Sequence, residues 1–176
     1  MKIERRRLIF KTLEEAVEDA ENLMSNGYFK TGNWDLSQCC QHLSRVMQYP
    51  LDGFPHFPLP MRMAMFGLRY LVVPTLKKRM LETEVWPSRI PTDKSSVPTA
   101  RGEDSHRVAE FRVAVDRLLN FDGPLKPSPL LGPLDKSTLI RIHRIHAAHH
   151  LGFLVSRTAD DKVTNIVEPL NFRTQN

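Results

Sequence analysis

The sequence predicts an all-α protein: a four-helix bundle with long connecting loops. Apolar residues recur at intervals of three and four along most of the chain, which is the period of amphipathic helices. Alternating apolar and polar runs, which would indicate strands, are nearly absent. The 176 residues are enough for one domain with a hydrophobic core. We therefore treat residues 1–176 as a single domain, with its core at about 7–158 and a tail at 160–176.

The first two helices are predicted from capping residues and helix breakers. Thr12 and Glu15 have the spacing of a capping box, so we expect the first helix to begin there. Gly27 can end it with a left-handed cap. A second helix, from about Trp34 to Tyr49, is expected to stop at Pro50, which lacks the amide hydrogen that a continuing helix needs.

The later helices are separated by proline-containing connections. A helical region around Met61 to Leu81 contains Pro74 and is expected to kink or split there. Another helix covers about Asp104 to Asn120, and the last extends from an Asp135 cap to about Arg157. Connections of this length often border a functional site. They cover residues 50–60, 83–103 and 121–134.

Composition and cysteine spacing exclude membrane-spanning and disulfide-stabilised proteins. The proportions of 41% hydrophobic and 26% charged residues are typical of a globular chain. The N-terminal segment lacks the apolar stretch of a signal peptide, and no segment approaches the roughly 18 apolar residues of a spanning helix. Cys39 and Cys40 are adjacent and cannot join distant parts of the chain. We therefore expect a cytoplasmic protein with no membrane partner.

The net charge of +5 raises nucleic acid as a partner. Basic residues cluster only at 5–7 and 77–79, however, and no aromatic residues alternate with them. We interpret both clusters as solvent-exposed surface, and nucleic-acid binding is not expected.

Two histidines of the last helix have the spacing of a metal-binding pair. His146 and His150 lie one turn apart and about 40° apart in angle, so both imidazoles can reach one ion. Their face of the helix is apolar, where an imidazole without a partner is costly. Core histidines bonded to their neighbours are the alternative, and metal is slightly favoured because two share the face. His143 could be a ligand, an acid–base group beside the ligands or a core residue, and His149 is interpreted as an interfacial or packing residue.

A third ligand has to come from another helix, and His42 is the best candidate. It lies at the edge of the apolar stripe of the second helix. His56 and His106 are alternatives near loops. Cys39 and Cys40 point about 100° apart on a helix and cannot both face one ion. We interpret both as small buried side chains.

These motifs resemble those of the DinB/YfiT-like superfamily. Trp34 is followed eight residues later by His42-Leu43, and the segment 146–152 contains an H-x-x-x-H pair. The residues 32–34 and 129–134 are similar to those of a functionally uncharacterised bacterial branch. The resemblance extends from about residue 7 to residue 154. Members often have Gln where this chain has Phe153, which argues against a polar role at that position.

The resemblance implies a helical bundle with His42, His146 and His150 as metal ligands. Three neutral imidazoles leave a divalent ion with open positions, as in a catalytic site, and zinc or nickel suits the ligand set. Characterised members include thiol-using transferases and a thiol-dependent isomerase. The resemblance therefore implies a small-molecule substrate and a low-molecular-weight thiol, and hydrolysis is the other reaction that such a site allows.

Access to the site is expected from the end of the bundle near the connections 50–60 and 121–134. Tyr49, His56 and His143 would assist proton transfer there. The alternative is a non-catalytic bundle that binds a small ligand or a partner protein. A homodimer is compatible with either function.

Overall fold

The computed structural model describes residues 3–87, 96–98 and 101–157. Within these ranges the chain forms six helices and two short strands, so the prediction of a mainly helical protein is confirmed. The helices are α1 (Leu13–Asn26), α2 (Leu36–Asp52), α3 (Leu59–Leu71), α4 (Val73–Thr83), α5 (Asp104–Leu119) and α6 (Lys136–Leu151). The strands are β1 (Tyr28–Lys30) and β2 (Leu154–Ser156).

Four of the helices share the main hydrophobic core. Helices α1, α2, α5 and α6 each contribute fully buried side chains to it, among them Leu13, Leu43, Phe111 and Leu151. A smaller cluster joins α4 to α6 through Met80, Ile142 and Ile145. Helix α2 lies along α5 from Ser37, whose amide donates to Asp104, to Asp52, which pairs with Arg117. Through His42 it also faces the C-terminal half of α6.

Side-chain caps fix the N-termini of α1 and α2. Thr12 Oγ1 accepts a hydrogen bond from Glu15 N, as expected, but the Glu15 carboxylate accepts from Lys11 N rather than from Thr12 N. The complete capping box is at α2, where Asp35 accepts from Gln38 N and the Gln38 side chain accepts from Asp35 N. That pairing fixes the N-terminus of the helix that contains His42.

Two helix ends differ from the prediction. Gly27 has φ 73 and ψ 165, so it ends α1 with positive φ but directs the chain into β1 instead of forming a left-handed cap. Pro50 does not stop α2, which continues to Asp52. Only one intrahelical hydrogen bond is lost in the last turn. The Pro50 carbonyl accepts from Lys126 N at 2.7 Å, and Gly53 N closes the helix on Tyr49 O.

The third predicted helix is split into two, as expected. Val72 ends α3 and precedes α4, and Pro74 occupies the first turn of α4. A proline is tolerated there since the amides of a first turn have no intrahelical partner. The last helix ends at Leu151 rather than near Arg157. Residues Leu154–Ser156 instead pair antiparallel with Tyr28–Lys30. The predicted tail at 160–176 lies outside the described residues.

Arg5 and Arg7 are exposed, as predicted for the basic segment 5–7, but Arg5 and Arg6 also make specific contacts. Arg6 forms a bidentate ion pair with Asp19, with N–O distances of 2.7 and 2.8 Å. The backbone amide of Arg6 donates to Gly152 O. Arg5 donates to the carbonyl of His149. These contacts fasten the N-terminal segment to the C-terminal end of α6. Among the described helices, none is long and apolar enough to cross a membrane.

Candidate metal centre

The contact between α2 and α6 brings three imidazoles together. His42 Nε2 lies 3.3 Å from His146 Nε2, which lies 2.9 Å from His150 Nε2. One nitrogen from each residue can be chosen so that all three lie within 4.8 Å of one another. His42 and His146 are buried and His150 is half-buried. Two residues one turn apart on α6 and one from α2 thus form a single cluster, although they are up to 108 positions apart in the sequence.

The backbone carbonyl of Ser96 orients His42. Nδ1 of His42 lies 3.0 Å from Ser96 O, and a carbonyl can only accept a hydrogen bond. Nδ1 of His42 therefore carries the proton, and Nε2 presents a lone pair to the other two histidines. Metal-binding histidines commonly have this arrangement, in which the second nitrogen donates to a carbonyl.

The nitrogen positions fit a metal ion. Imidazole nitrogens bound to one ion at about 2.0–2.1 Å lie roughly 2.9 to 3.4 Å apart in tetrahedral or octahedral geometry. The two spacings from His146 Nε2, 2.9 and 3.3 Å, fall within that interval. A cation at their common point would stabilise the converging lone pairs. Within the described residues, the group that could hold an ion contains neither a carboxylate nor a thiol, so its donors there are imidazoles.

Two tryptophans cover the histidine rings. Trp34 stacks on His150, with ring centroids 5.1 Å apart and an angle of 10° between the ring planes. It also contacts His42, with ring centroids 5.0 Å apart. Trp86 stacks on His146 at 4.2 Å. These indole rings exclude water from the sides of the imidazoles and hold their orientations. Trp34 comes from the turn before α2, and Trp86 from the connection after α4.

Burial keeps His146 and His150 neutral. Burial, and then the charges of the neighbouring histidines, lower the pKa of His146 well below 6.5. Burial is also the main cause at His150, whose pKa is lowered well below 6.5, with contributions from His42, His149 and Arg5. Neutral imidazoles are the form that binds metal, so these two histidines are ready to bind at neutral pH.

His143 lies one turn before His146 but is not part of the cluster. It is buried, and neither ring nitrogen has a hydrogen-bond partner in the described part of the chain. Burial lowers its pKa to about 4. Of the three roles that the sequence left open for His143, ligand and satisfied core residue do not agree with these contacts. A role in proton transfer stays a prediction.

The other candidate residues lie away from the three histidines. Tyr49 is seven positions after His42, about 10 Å further along α2, where it contacts the Phe54 ring. It lines a cleft of about 420 Å³ at that end of the helix. His56 is exposed in the following loop, and His106 is exposed on α5, where it approaches Glu110.

The expected access from connections 50–60 and 121–134 is therefore not supported. Those connections meet each other at the far end of α2, where Lys126 N donates to Pro50 O. The connection 83–103 contributes to the cluster instead, through Trp86 and Ser96. Its length marked it as a candidate in the sequence, but no pattern singled out these two residues.

The cysteines are packing residues, as interpreted from their spacing. Both are fully buried, and Cys39 Sγ donates only a weak hydrogen bond to His150 O at 3.9 Å. Burial raises the pKa of Cys39 to about 12, so it is an inert thiol at neutral pH.

Arg5 was missed as a neighbour of the cluster. Its Nη2 lies 3.2 Å from His149 Nδ1 and donates to the His149 carbonyl at 2.9 Å. The guanidinium lies over the Phe153 ring, 3.9 Å from its centroid. His149 itself, whose pKa burial and Arg5 lower to about 4, contacts the His150 ring at 5.1 Å. His149 packs beside the cluster, as its angle on the helix predicts.

Comparisons with known proteins give a family but no function. No curated protein and no solved structure is significantly similar to the chain. One family model matches residues 2–157, which include all the described histidines. The chain therefore belongs to the family described as "Protein of unknown function (DUF1569)".

Proposed function

We propose that this protein is a metal-dependent enzyme of the DinB/YfiT-like four-helix-bundle type, with one divalent transition ion held by His42, His146 and His150. The observation that carries the proposal is the convergence of three Nε2 atoms at 2.9 and 3.3 Å without any acidic residue among them. Zinc and nickel are the ions that suit three imidazoles.

An ion held by three imidazoles keeps open positions, which is typical of catalytic rather than structural sites. When bound, it would supply Lewis acidity and lower the pKa of a coordinated thiol or water. The chain's own residues would position the ligands: Ser96 fixes His42, and the two indoles hold His146 and His150. They would also keep the site dry, which strengthens electrostatic interactions there.

Thiol S-transfer is the reaction that we place first, and hydrolysis is second. The cluster's neutral donor set supports thiol binding because a divalent ion with three neutral ligands retains its full charge for an anionic donor. The resemblance to thiol-using transferases supports the same order.

An activity screen tests the proposal. Protein loaded with zinc or nickel is incubated with small bacterial thiols and a chromogenic electrophile, and in parallel with esters and amides without thiol. We expect conjugation in the first set, abolished by His146→Ala and retained by His106→Ala, an exposed histidine on α5. The conjugation rate should fall at acid pH as the ligands protonate. Turnover only in the thiol-free set would assign hydrolysis instead.

A non-catalytic binding protein is the second candidate, and helix α3 favours it. None of its residues is buried, and large apolar side chains such as Met63, Phe66 and Tyr70 are between 57 and 66% exposed. Exposed apolar faces of this kind mark interaction surfaces. Fully metallated protein that is inactive in both screens would favour this function.

A further inference from the structure

The described part of the chain does not balance the charge that an ion would bring to the histidine cluster. The three imidazoles would bind as neutral donors, and a divalent ion would bring two positive charges into a half-buried site. Among the described carboxylates, Asp35 accepts from Ser37 and Gln38 and pairs with Arg101, and Glu84 pairs with two arginines of α6. Because buried charges are paired in stable structures, an anionic ligand would stabilise the occupied site.

Arg5 adds a further positive charge beside the cluster. Its side chain lies against His149 and Phe153, and the His149 ring in turn contacts the His150 ring, with centroids 5.1 Å apart. Within the described residues, several arginines that join separate elements pair with carboxylates, whereas Arg5, like Arg157 on the Phe29 ring, does not, and its acceptors are the neutral groups of His149. The pairs with carboxylates are Arg6–Asp19, Arg112–Glu21, Arg117–Asp52, Arg141–Glu84 and Arg144–Glu84.

The guanidinium of Arg5 is held in place, but not all of its N–H donors are used. Both contacts to His149 use Nη2, and the flat face lies on the Phe153 ring. Guanidinium has five N–H donors, so Nη1 keeps donors for a ligand. A fixed guanidinium of this kind binds a carboxylate, phosphate or sulfonate group with little loss of side-chain freedom.

We propose that Arg5 is the anion-binding residue of this site, and that the ligand is a small acidic thiol. The sulfur of this thiol would approach the three histidines, and its carboxylate or other anionic group would bind Arg5. The inference rests on the proposed function and narrows its substrate class. It assigns no step of the reaction to Arg5, which would act as a specificity-determining residue.

Cobalt-substituted protein provides a readout that does not depend on turnover. Thiolate binding to cobalt(II) produces a near-ultraviolet charge-transfer band, so affinities can be titrated directly. The probes are thioglycolate, 3-mercaptopropionate, neutral 2-mercaptoethanol and cationic cysteamine, each affinity being referred to the concentration of ionised thiol. We expect the acidic thiols to bind at least about tenfold more tightly than 2-mercaptoethanol, and cysteamine to bind most weakly.

Substitutions at Arg5 and at a control position distinguish a specific effect of Arg5 from a general effect of positive charge. Arg5→Gln should weaken the binding of the acidic thiols about 10- to 100-fold and change that of 2-mercaptoethanol little. Arg5→Lys should restore part of the preference. Arg7→Gln is the matched control, because it removes the same charge from the same exposed segment. It should leave the preference unchanged, and thermal melting of the metal-free variants checks that all are folded.

Three results would overturn the inference. The first is equal affinity for acidic and neutral thiols, and the second is an acid preference that survives Arg5→Gln. In the third, cobalt binds to the histidines but no thiol changes its spectrum. That result would support the metal site and contradict thiols as its ligands. Failure of cobalt to bind at all would instead contradict the proposed function itself.

Discussion

Helices α6 and α3 are both rich in apolar residues, yet the fold uses them in opposite ways. Eight of the 16 residues of α6 are buried, including His143 and His146, whereas none of the 13 residues of α3 is. Helix α6 lies against α1, α2 and α4, but α3 makes its principal contacts with the adjoining α4. Apolar content therefore predicts that a helix forms, but burial depends on which other helices reach it.

This difference predicts where stability comes from. Leu151 is fully buried at the end of α6, within the main core. We expect Leu151→Ala to lower the free energy of unfolding by about 2–5 kcal/mol, because it removes buried apolar surface and leaves a cavity. Urea denaturation of the metal-free protein measures this change. A loss below about 1 kcal/mol would show that this end of α6 is not packed as described.

The buried histidines of α6 should make stability depend on pH. The pKa of His143 is about 4 in the folded protein and 6.5 without burial, so the unfolded chain binds more protons between these values. Stability is then full above pH 6.5 and is lost as the pH falls towards 4. For His143 alone the loss between pH 7 and pH 5 is about 2 kcal/mol.

His143→Leu isolates that contribution. The variant should be less sensitive to acid than the parent by about this amount, as measured by urea denaturation with a chelator present at both pH values. His106→Leu, at an exposed position on α5, is the control and should leave the pH dependence unchanged. An unaltered acid sensitivity in His143→Leu would mean that His143 titrates normally.

The cap of α2 should have a smaller effect. Asp35→Ala removes the acceptor for Gln38 N and the partner of Ser37, so we expect a loss of about 1–2 kcal/mol. Because this cap sets the start of the helix that carries His42, metal affinity should fall as well. Thr12→Ala removes the cap of α1, which lies away from the cluster, and it should leave metal affinity intact.

The smallest effect is expected on α3. Phe66 is 57% exposed, so Phe66→Ala should change the free energy of unfolding by less than about 0.5 kcal/mol. If the second candidate function applies, the same variant would lose binding to a partner without losing stability. Destabilisation by more than about 2 kcal/mol would show that another part of this protein covers α3.

Local patterns explain how much of the centre could be predicted. The spacing of His146 and His150 depends only on helix geometry, and it holds in the structure. His42 required the apolar stripe of a second helix and the resemblance to a known superfamily. The cap at Thr12 and the split near Pro74 also depend on neighbouring residues and are present.

Contacts between distant segments could not be predicted. Ser96 reaches His42 across 54 positions and Arg5 reaches His149 across 144. Both depend on the paths of connections that have no periodic pattern. The strands have only three residues each, which is too short for alternation to be recognised. Because residues 154–156 pair with 28–30, the last helix ends earlier than predicted.

Metal binding by untagged protein tests the central claim most directly. The protein is stripped with chelator, exchanged into zinc or nickel at neutral pH, and measured by elemental analysis and isothermal titration. We expect one ion per chain, with severe loss of affinity in His42→Ala, His146→Ala and His150→Ala and none in His106→Ala. Equal metal content in all four variants, or no binding by the parent, would contradict the three-histidine centre.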